Sequence, residues 1–326
     1  MAETLIDIQD LYVNFYTYRG IVRAINGVNL QINEGEFFGL VGETGCGKSV
    51  TASAILDLVR NPGRIESGRI FFKGEDLLSM DKNRLRDTIR GREITMIMQH
   101  PVAALNPVMR IQEQIAEVLA AHGMSKREAK KAVIDRLAEV NIPEPEKVAR
   151  YYPHQLSGGM AQRVMIAMML SSEPSLLIAD EPTTALDVSV QAQVLILLRE
   201  LVKKKRSSVL LITHDMSVVA EVCDRVGVMY AGDIAETGDV RDVIFNPRHP
   251  YTQGLMQAIP SEERTELQGI PGTVPDLVTP PPACRFHPRC SHVMERCKRE
   301  KPAARTVGEG HTVACHLYEA ISCKAK

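Results

Sequence analysis

Eight consecutive residues, Gly42-Glu43-Thr44-Gly45-Cys46-Gly47-Lys48-Ser49, carry the types and spacing of a phosphate cradle. The glycines let successive backbone N–H groups wrap a phosphate, and a helix opening at Lys48 adds its positive end. In such a loop Lys48 reaches the β- and γ-phosphates. Ser49 places its hydroxyl on Mg2+, which bridges phosphate oxygens and neutralises charge that develops during transfer. Further on, the apolar run Leu176–Ala179 ends in Asp180 and Glu181. Two acids there serve two tasks, Asp180 near the Mg2+ shell and Glu181 beside the attacking water. An apolar run ending in Asp-Glu is on its own an ordinary strand meeting solvent, so its weight comes from its company. That company is LSGGMAQR, residues 156–163, where Ser157, Gly158 and Gly159 open a helix and make a second anion site. Two phosphate-binding helix starts in one chain point to a site completed by two chains.

The elements that must hold these residues are legible in the hydropathy pattern. Alternation in LIDIQDLYVNF and GVNLQINEGEFFGLVG, followed by SVTASAILDLV, predicts strands feeding a helix, with Gly42–Ser49 at the junction. Ile94–Met98 reads as a strand, and 111–141 as two amphipathic helices split at His122–Lys126, part of a helical insertion over about 100–160. Two short apolar runs, Leu176–Ala179 and Val209–Thr213, flank a helix over Val190–Val202, which predicts a parallel sheet in an α/β fold. The texture changes at Asn246, so the expected domains are 1–245 and a C-terminal extension, 246–326. Met160, Met165, Met168 and Met169 read as adaptable core packing.

With these motifs in order along one chain, the sequence resembles the ABC-type ATPases. In that family the signature motif of one subunit closes over the γ-phosphate held by the loop of another. The resemblance implies a P-loop NTPase fold with an antiparallel β subdomain and a helical insertion. It implies catalytic roles for Glu181, His214, Gln99 and Lys48. Gln99, ending EITMIMQ, matches the glutamine that senses Mg2+ and the γ-phosphate and links to the transmembrane subunits. His214 in LLITHD matches the switch histidine that holds the γ-phosphate and the water, and Asp187 in TTALD the aspartate at the dimer seam. Phe15 matches the aromatic that stacks on adenine, with Tyr16 and Tyr18 as alternatives. Val50 departs from relatives that carry a hydroxyl against the α-phosphate; only its backbone N–H can serve. Glu181, His214 and an intact signature together predict real ATP turnover.

Composition narrows the setting. A formal charge of -1 over 326 residues offers no electrostatic footing for nucleic acid or an anionic membrane. No stretch approaches the roughly 18–20 apolar residues that span a bilayer, and the acidic start MAETLIDIQD lacks the pattern of a signal peptide. A cytosolic chain is expected. A soluble ABC ATPase of DNA repair or translation is the rival class, but such proteins tend to carry two cassettes or a long coiled coil, and neither is evident here.

HPVAALNPVMRI after Gln99 and RHPYTQGLMQAIP after the core resemble the peptide and nickel importer branch of the family. IPGTVPDL, PPPACRFHPRC, ERC and VACH resemble the tail of dipeptide and oligopeptide transporter ATPases, most closely the D-type dipeptide subunits. The partners so implied are a homologous second ATPase subunit, two transmembrane permeases and an extracytoplasmic peptide-binding protein, with the chain peripheral on the inner face of the membrane. Nickel import remains the alternative. Cys284, Cys290, Cys297 and Cys315, separated by five, six and seventeen residues, can converge on one metal. Thiolate softness suits zinc or [4Fe-4S] alike, and unligated thiols stay open; the family resemblance favours [4Fe-4S]. Cys323 reads as a spare surface thiol, and His287, His292, His311 and His316 as outer support rather than ligands. The centre is expected to staple a tail poor in apolar material, not to transfer electrons.

Overall fold

The structure, a computed structural model, describes residues 3–99, 101–184, 186–258 and 269–318. Cys323 lies outside the described residues. The chain divides into two compact units. One comprises Met1–Asn33, Phe38–Ser79 and Thr213–Lys326, the other Glu34–Phe37 and Met80–Ile212.

In the first unit the alternating N-terminal segments form an antiparallel hairpin, Thr4–Thr17 with Gly20–Asn33. Gly63–Phe72 pairs on its other side and is followed by the short strand Glu75–Asp76. The alternation slips between Ile8 and Leu11, where Asp10 turns to φ 45° and its N–H donates to Asn29 Oδ1 at 3.0 Å. This is how Leu11 and Val13 return to the buried face after two exposed residues. A second sheet holds Phe37–Val41, parallel to Arg225–Tyr230, then Asp233–Asp239 antiparallel to that strand.

The tail joins this second sheet. His311–Val313 pairs with Asp233–Asp239 and, through a tight turn, with the outermost strand Arg305–Gly308. The join is fastened by Glu236, only 1% exposed, whose carboxylate accepts the N–H groups of Arg248 and His249 at 2.8 Å and meets His311 Nε2 at 2.7 Å. Residues 246–318 that are described therefore share strands and a buried polar hub with the unit that carries the phosphate loop.

In the second unit Leu176–Asp180 runs parallel between Ile94–Ile97 and Ser208–Thr213. The predicted helical stretch folds as Ile111–Ala121 and Lys126–Glu139, split where expected. Ser125 caps the second helix, accepting from Glu128 N while the Glu128 carboxylate accepts from Ser125 N. Met165 and Met168 are buried within helix Gly158–Leu170, as core residues. Helix Val188–Lys205 starts two residues before the expected Val190 because Asp187, not a later residue, caps it. Its basic last turn sits at the carbonyl end, with Lys205 near Glu173 and Glu139. No helix of the described residues is long and apolar enough to cross a membrane.

Candidate functional site

The phosphate loop springs from Phe37–Val41, a strand whose five residues are all buried. A Cβ on Gly42 would stand 2.0 Å from the carbonyl oxygen of Met229, so only glycine passes there. Gly47, at φ 112°, begins helix Lys48–Ile55 without a side-chain cap, and a helix N-terminus of this kind suits an anion. Lys48 is 5% exposed and lies back over the loop, its Nζ donating to Gly42 O at 2.7 Å and Glu43 O at 3.2 Å. Thr44, Gly45 and Ser49 face solvent, with the Ser49 hydroxyl at the helix start, a position that suits a metal-bound oxygen donor. Val50 is half-buried. Cys46 is buried, and burial pushes its thiol up against the opposing pull of Lys48; it behaves as a small core residue.

Three aromatics were candidates for adenine, and the structure separates their surroundings. Phe15 is half-buried at the register position of Gly63. Tyr16 is already engaged, its hydroxyl donating to Glu66 at 2.8 Å and its ring carrying Arg64 at 5.4 Å. Tyr18 is 93% exposed. His214, also in this unit, follows Thr213 and is exposed, just before the Asp215 cap of helix Met216–Val222.

The second unit holds the acids and the signature. Asp180 ends its strand almost fully buried. Glu181 turns into the left-handed region, φ 46°, while its N–H still donates to Ile212 O at 2.9 Å. That turn brings its Oε2 to 2.9 Å from Gln99 Nε2 and 2.8 Å from the Thr184 hydroxyl, both donating. Two expected residues, Gln99 and Glu181, thus meet across 82 positions, and Thr184 joins them unannounced. Its only signal was its place in the TTALD run. Ser157 Oγ accepts from Met160 N at 3.3 Å and caps helix Gly158–Leu170. A Cβ on Gly159 would stand 2.8 Å from Val190 Cγ1, so the signature glycine packs on the helix that Asp187 caps. The hydrogen bond from Val190 N, then that from Ser189, holds the Asp187 carboxyl below the usual range.

The tail cysteines meet the expectation only in part. Cys284, Cys290, Cys297 and Cys315 all line one small cavity. Among the described residues, however, no group of three His, Cys, Asp or Glu stands where it could hold a metal ion, so the four thiols are near one another without forming a ligand shell. Burial first, then the mutual repulsion of the thiols, pushes Cys284 up to about 12 and Cys315 to about 11. The donor set remains four soft sulfurs, which suits iron or zinc. Three of the neighbouring histidines are occupied: His287 Nδ1 faces Cys284 O at 2.9 Å, His316 Nε2 faces Glu300 O at 3.0 Å, and His311 belongs to Glu236, while His292 lines the same cavity. Burial lowers His249 to about 4, so its neutral Nδ1 accepts from Tyr251 N and caps helix Pro250–Gln257.

Residues 25–184 match the ABC transporter family, and 235–297 the C-terminal region of oligopeptide/dipeptide transporters. The dipeptide transport ATP-binding protein DppD of Bacillus subtilis is 47% identical over 321 residues, 97% of this chain and 96% of that protein. The oligopeptide transport ATP-binding protein OppD of Salmonella typhimurium is 48% identical over 304 residues, 92% of this chain and 90% of that protein. Among solved structures, the dimeric post-hydrolysis state of the ATP-binding cassette MJ0796 bound to ADP and Pi superposes with a TM-score of 0.65 at 28% identity, covering 72% of this chain and 99% of that one. With near-complete coverage at this identity, the chain belongs to the ABC transporter family, among the ATP-binding proteins that carry the oligopeptide/dipeptide C-terminal region.

Proposed function

We propose that this chain binds and hydrolyses ATP to energise import of dipeptides or oligopeptides across the cytoplasmic membrane. The observation that carries the ATPase reading is the Gln99–Glu181–Thr184 contact beside a strand-ending Asp180, in a chain whose glycine loop leaves a helix start uncapped for phosphate. Glu181 accepts the proton of the attacking water, and Gln99 and Thr184 hold its carboxylate in place. Lys48 and the loop N–H groups bind the β- and γ-phosphates, and His214 steadies the γ-phosphate. Ser49, Asp180 and Gln99 would hold Mg2+, which when bound neutralises charge on the phosphate oxygens. Phe15 takes the adenine face. Ser157, Gly158, Gly159 and Asp187 serve the nucleotide of a second, homologous subunit, a reading supported by the dimeric cassette that the fold matches. Two permeases and an extracytoplasmic binding protein complete the assembly, with the chain peripheral on the inner membrane face.

The substrate reading is supported by relatives named for dipeptide and oligopeptide transport. Deleting the gene should abolish uptake of a radiolabelled dipeptide and leave 63Ni2+ uptake intact, with rescue by the wild-type chain and none by Lys48→Ala. Loss of nickel uptake with peptide uptake intact would transfer the chain to the nickel alternative.

We also propose that Cys284, Cys290, Cys297 and Cys315 take a [4Fe-4S] cluster as a staple for residues 246–326. The support is the chemistry of four soft sulfurs lining one cavity. Anaerobically purified protein should contain close to four irons and four sulfides per chain, and Cys290→Ser should lose them. Stoichiometric zinc without sulfide would make it a zinc site instead.

A further inference from the structure

Five residues between two of the tail cysteines, Arg285-Phe286-His287-Pro288-Arg289, are built around the phosphate loop. Arg289 forms a forked pair with Glu43, the loop's second residue: Nη1 to Oε2 at 2.9 Å and Nη2 to Oε1 at 3.2 Å. The guanidinium side chain is 6% exposed. Its nitrogens also reach Pro271 O at 2.9 Å, Ile270 O at 3.3 Å and the Tyr230 hydroxyl at 3.4 Å, and its Cζ lies 5.7 Å from the Tyr230 ring centre. Glu43 is held at its backbone too. Its N–H donates to the Tyr251 hydroxyl at 3.0 Å, and its carbonyl accepts from Lys48 Nζ and from Cys46 N, each at 3.2 Å.

The other end of the segment is anchored on residues beside the loop. Arg285, nearly buried, donates to Arg23 O at 3.0 Å and to Ala231 O, with Asp233 at 3.7 Å as its counter-ion. The next residue, Gly232, donates its N–H to Cys46 O at 2.8 Å. Between the two arginines Phe286 is buried against Tyr230 and Tyr251, ring centres 5.0 and 5.4 Å away. The same lysine that must meet the phosphates therefore rests on a carbonyl whose residue is fixed by a tail arginine.

We infer that Arg289 is a positioning residue for ATP: acting through Glu43, it sets the conformation of the phosphate loop and so the affinity for nucleotide. A buried, bidentate, charge-assisted pair holds an orientation that a lone surface pair would not. The inference rests on the nucleotide reading above, and its test separates the two.

The full-length protein is titrated with the fluorescent nucleotide MANT-ATP and Mg2+, alongside the unfolding midpoint without nucleotide and steady-state ATPase rates. Arg289→Ala should weaken MANT-ATP binding on the order of 10-fold and raise KM for ATP alike, with kcat near wild type. Glu43→Gln should do the same, and the double variant should be no worse than either alone, since the two residues act as one pair. Arg289→Lys, which keeps the charge but not the fork, should recover only part. A purely structural role would lower the unfolding midpoint and leave the Kd of the folded protein unchanged. That result, or additive losses in the double variant, would overturn the inference; if Arg289→Ala does not fold, Glu43→Gln and Arg289→Lys carry the same comparison. Absence of MANT-ATP binding to the wild-type chain would instead overturn the nucleotide reading itself.

Discussion

Glu181→Gln is expected to cut ATP turnover by about 10^2- to 10^4-fold while ATP binding survives. The substitution keeps the shape of the side chain and its acceptor oxygen, so the bonds donated by Gln99 or Thr184 are largely preserved. What disappears is the ability to take a proton from water. The left-handed backbone at residue 181 is untouched, because the two side chains share the same Cβ. Phosphate release in a single turnover, measured beside the MANT-ATP Kd, separates the two effects: a slow burst with normal affinity is the expected pair. Turnover within a few-fold of wild type would remove Glu181 from the role of base. Thr184→Val should cost far less, since it removes only one of the two donors that orient the carboxylate.

The second large effect concerns the backbone. Gly42→Ala should destabilise the protein by about 3 kcal/mol or more and abolish nucleotide binding. Its Cβ would collide with a main-chain oxygen at 2.0 Å, and that oxygen belongs to Met229, one residue beyond the parallel register of Val41 with Val228. Neither strand can retreat without losing ladder hydrogen bonds. Gly45→Ala is the natural control. It also has a positive φ, 82°, but a Cβ there meets nothing within 4 Å, so only the conformational cost of about 1 kcal/mol applies. Urea unfolding of the two variants should show this separation. Equal losses would mean that the close approach at Gly42 carries no energetic weight.

Much of this site was legible because its chemistry is local. A glycine loop between a strand and a helix, two acids at a strand end and a serine-glycine helix start are each contained in about eight residues, and their backbone geometry follows from residue type. The strand and helix pattern from Ile94 to Thr213 was readable for the same reason, since period and capping residues are short-range signals. The misses are long-range. Tyr251 and Arg289 reach Glu43 from 208 and 246 positions away, and nothing in RHPYTQG or FHPRC announces which element they will touch. Helix Val188–Lys205 begins two residues before the expected Val190 because Asp187, which the family resemblance matches to the dimer seam, also caps it. The cysteine spacing permitted convergence, yet spacing does not determine how near the four sulfurs come. Glu236 likewise binds three groups from beyond residue 245, at separations no local pattern reports.

The hairpin Arg305–Gly308 and His311–Val313 has a consequence for any shortened form of this chain. It occupies the outer side of Asp233–Asp239, which would otherwise be a free edge with unpaired N–H and C=O groups. The outermost strand it presents instead is four residues long, begins with an arginine and ends with a glycine, features that discourage further pairing. A chain ending before residue 305 would exchange that blunt border for a seven-residue strand open to recruitment by another molecule. Residues 305–313 thus cover that edge by backbone pairing alone, independently of any metal or nucleotide.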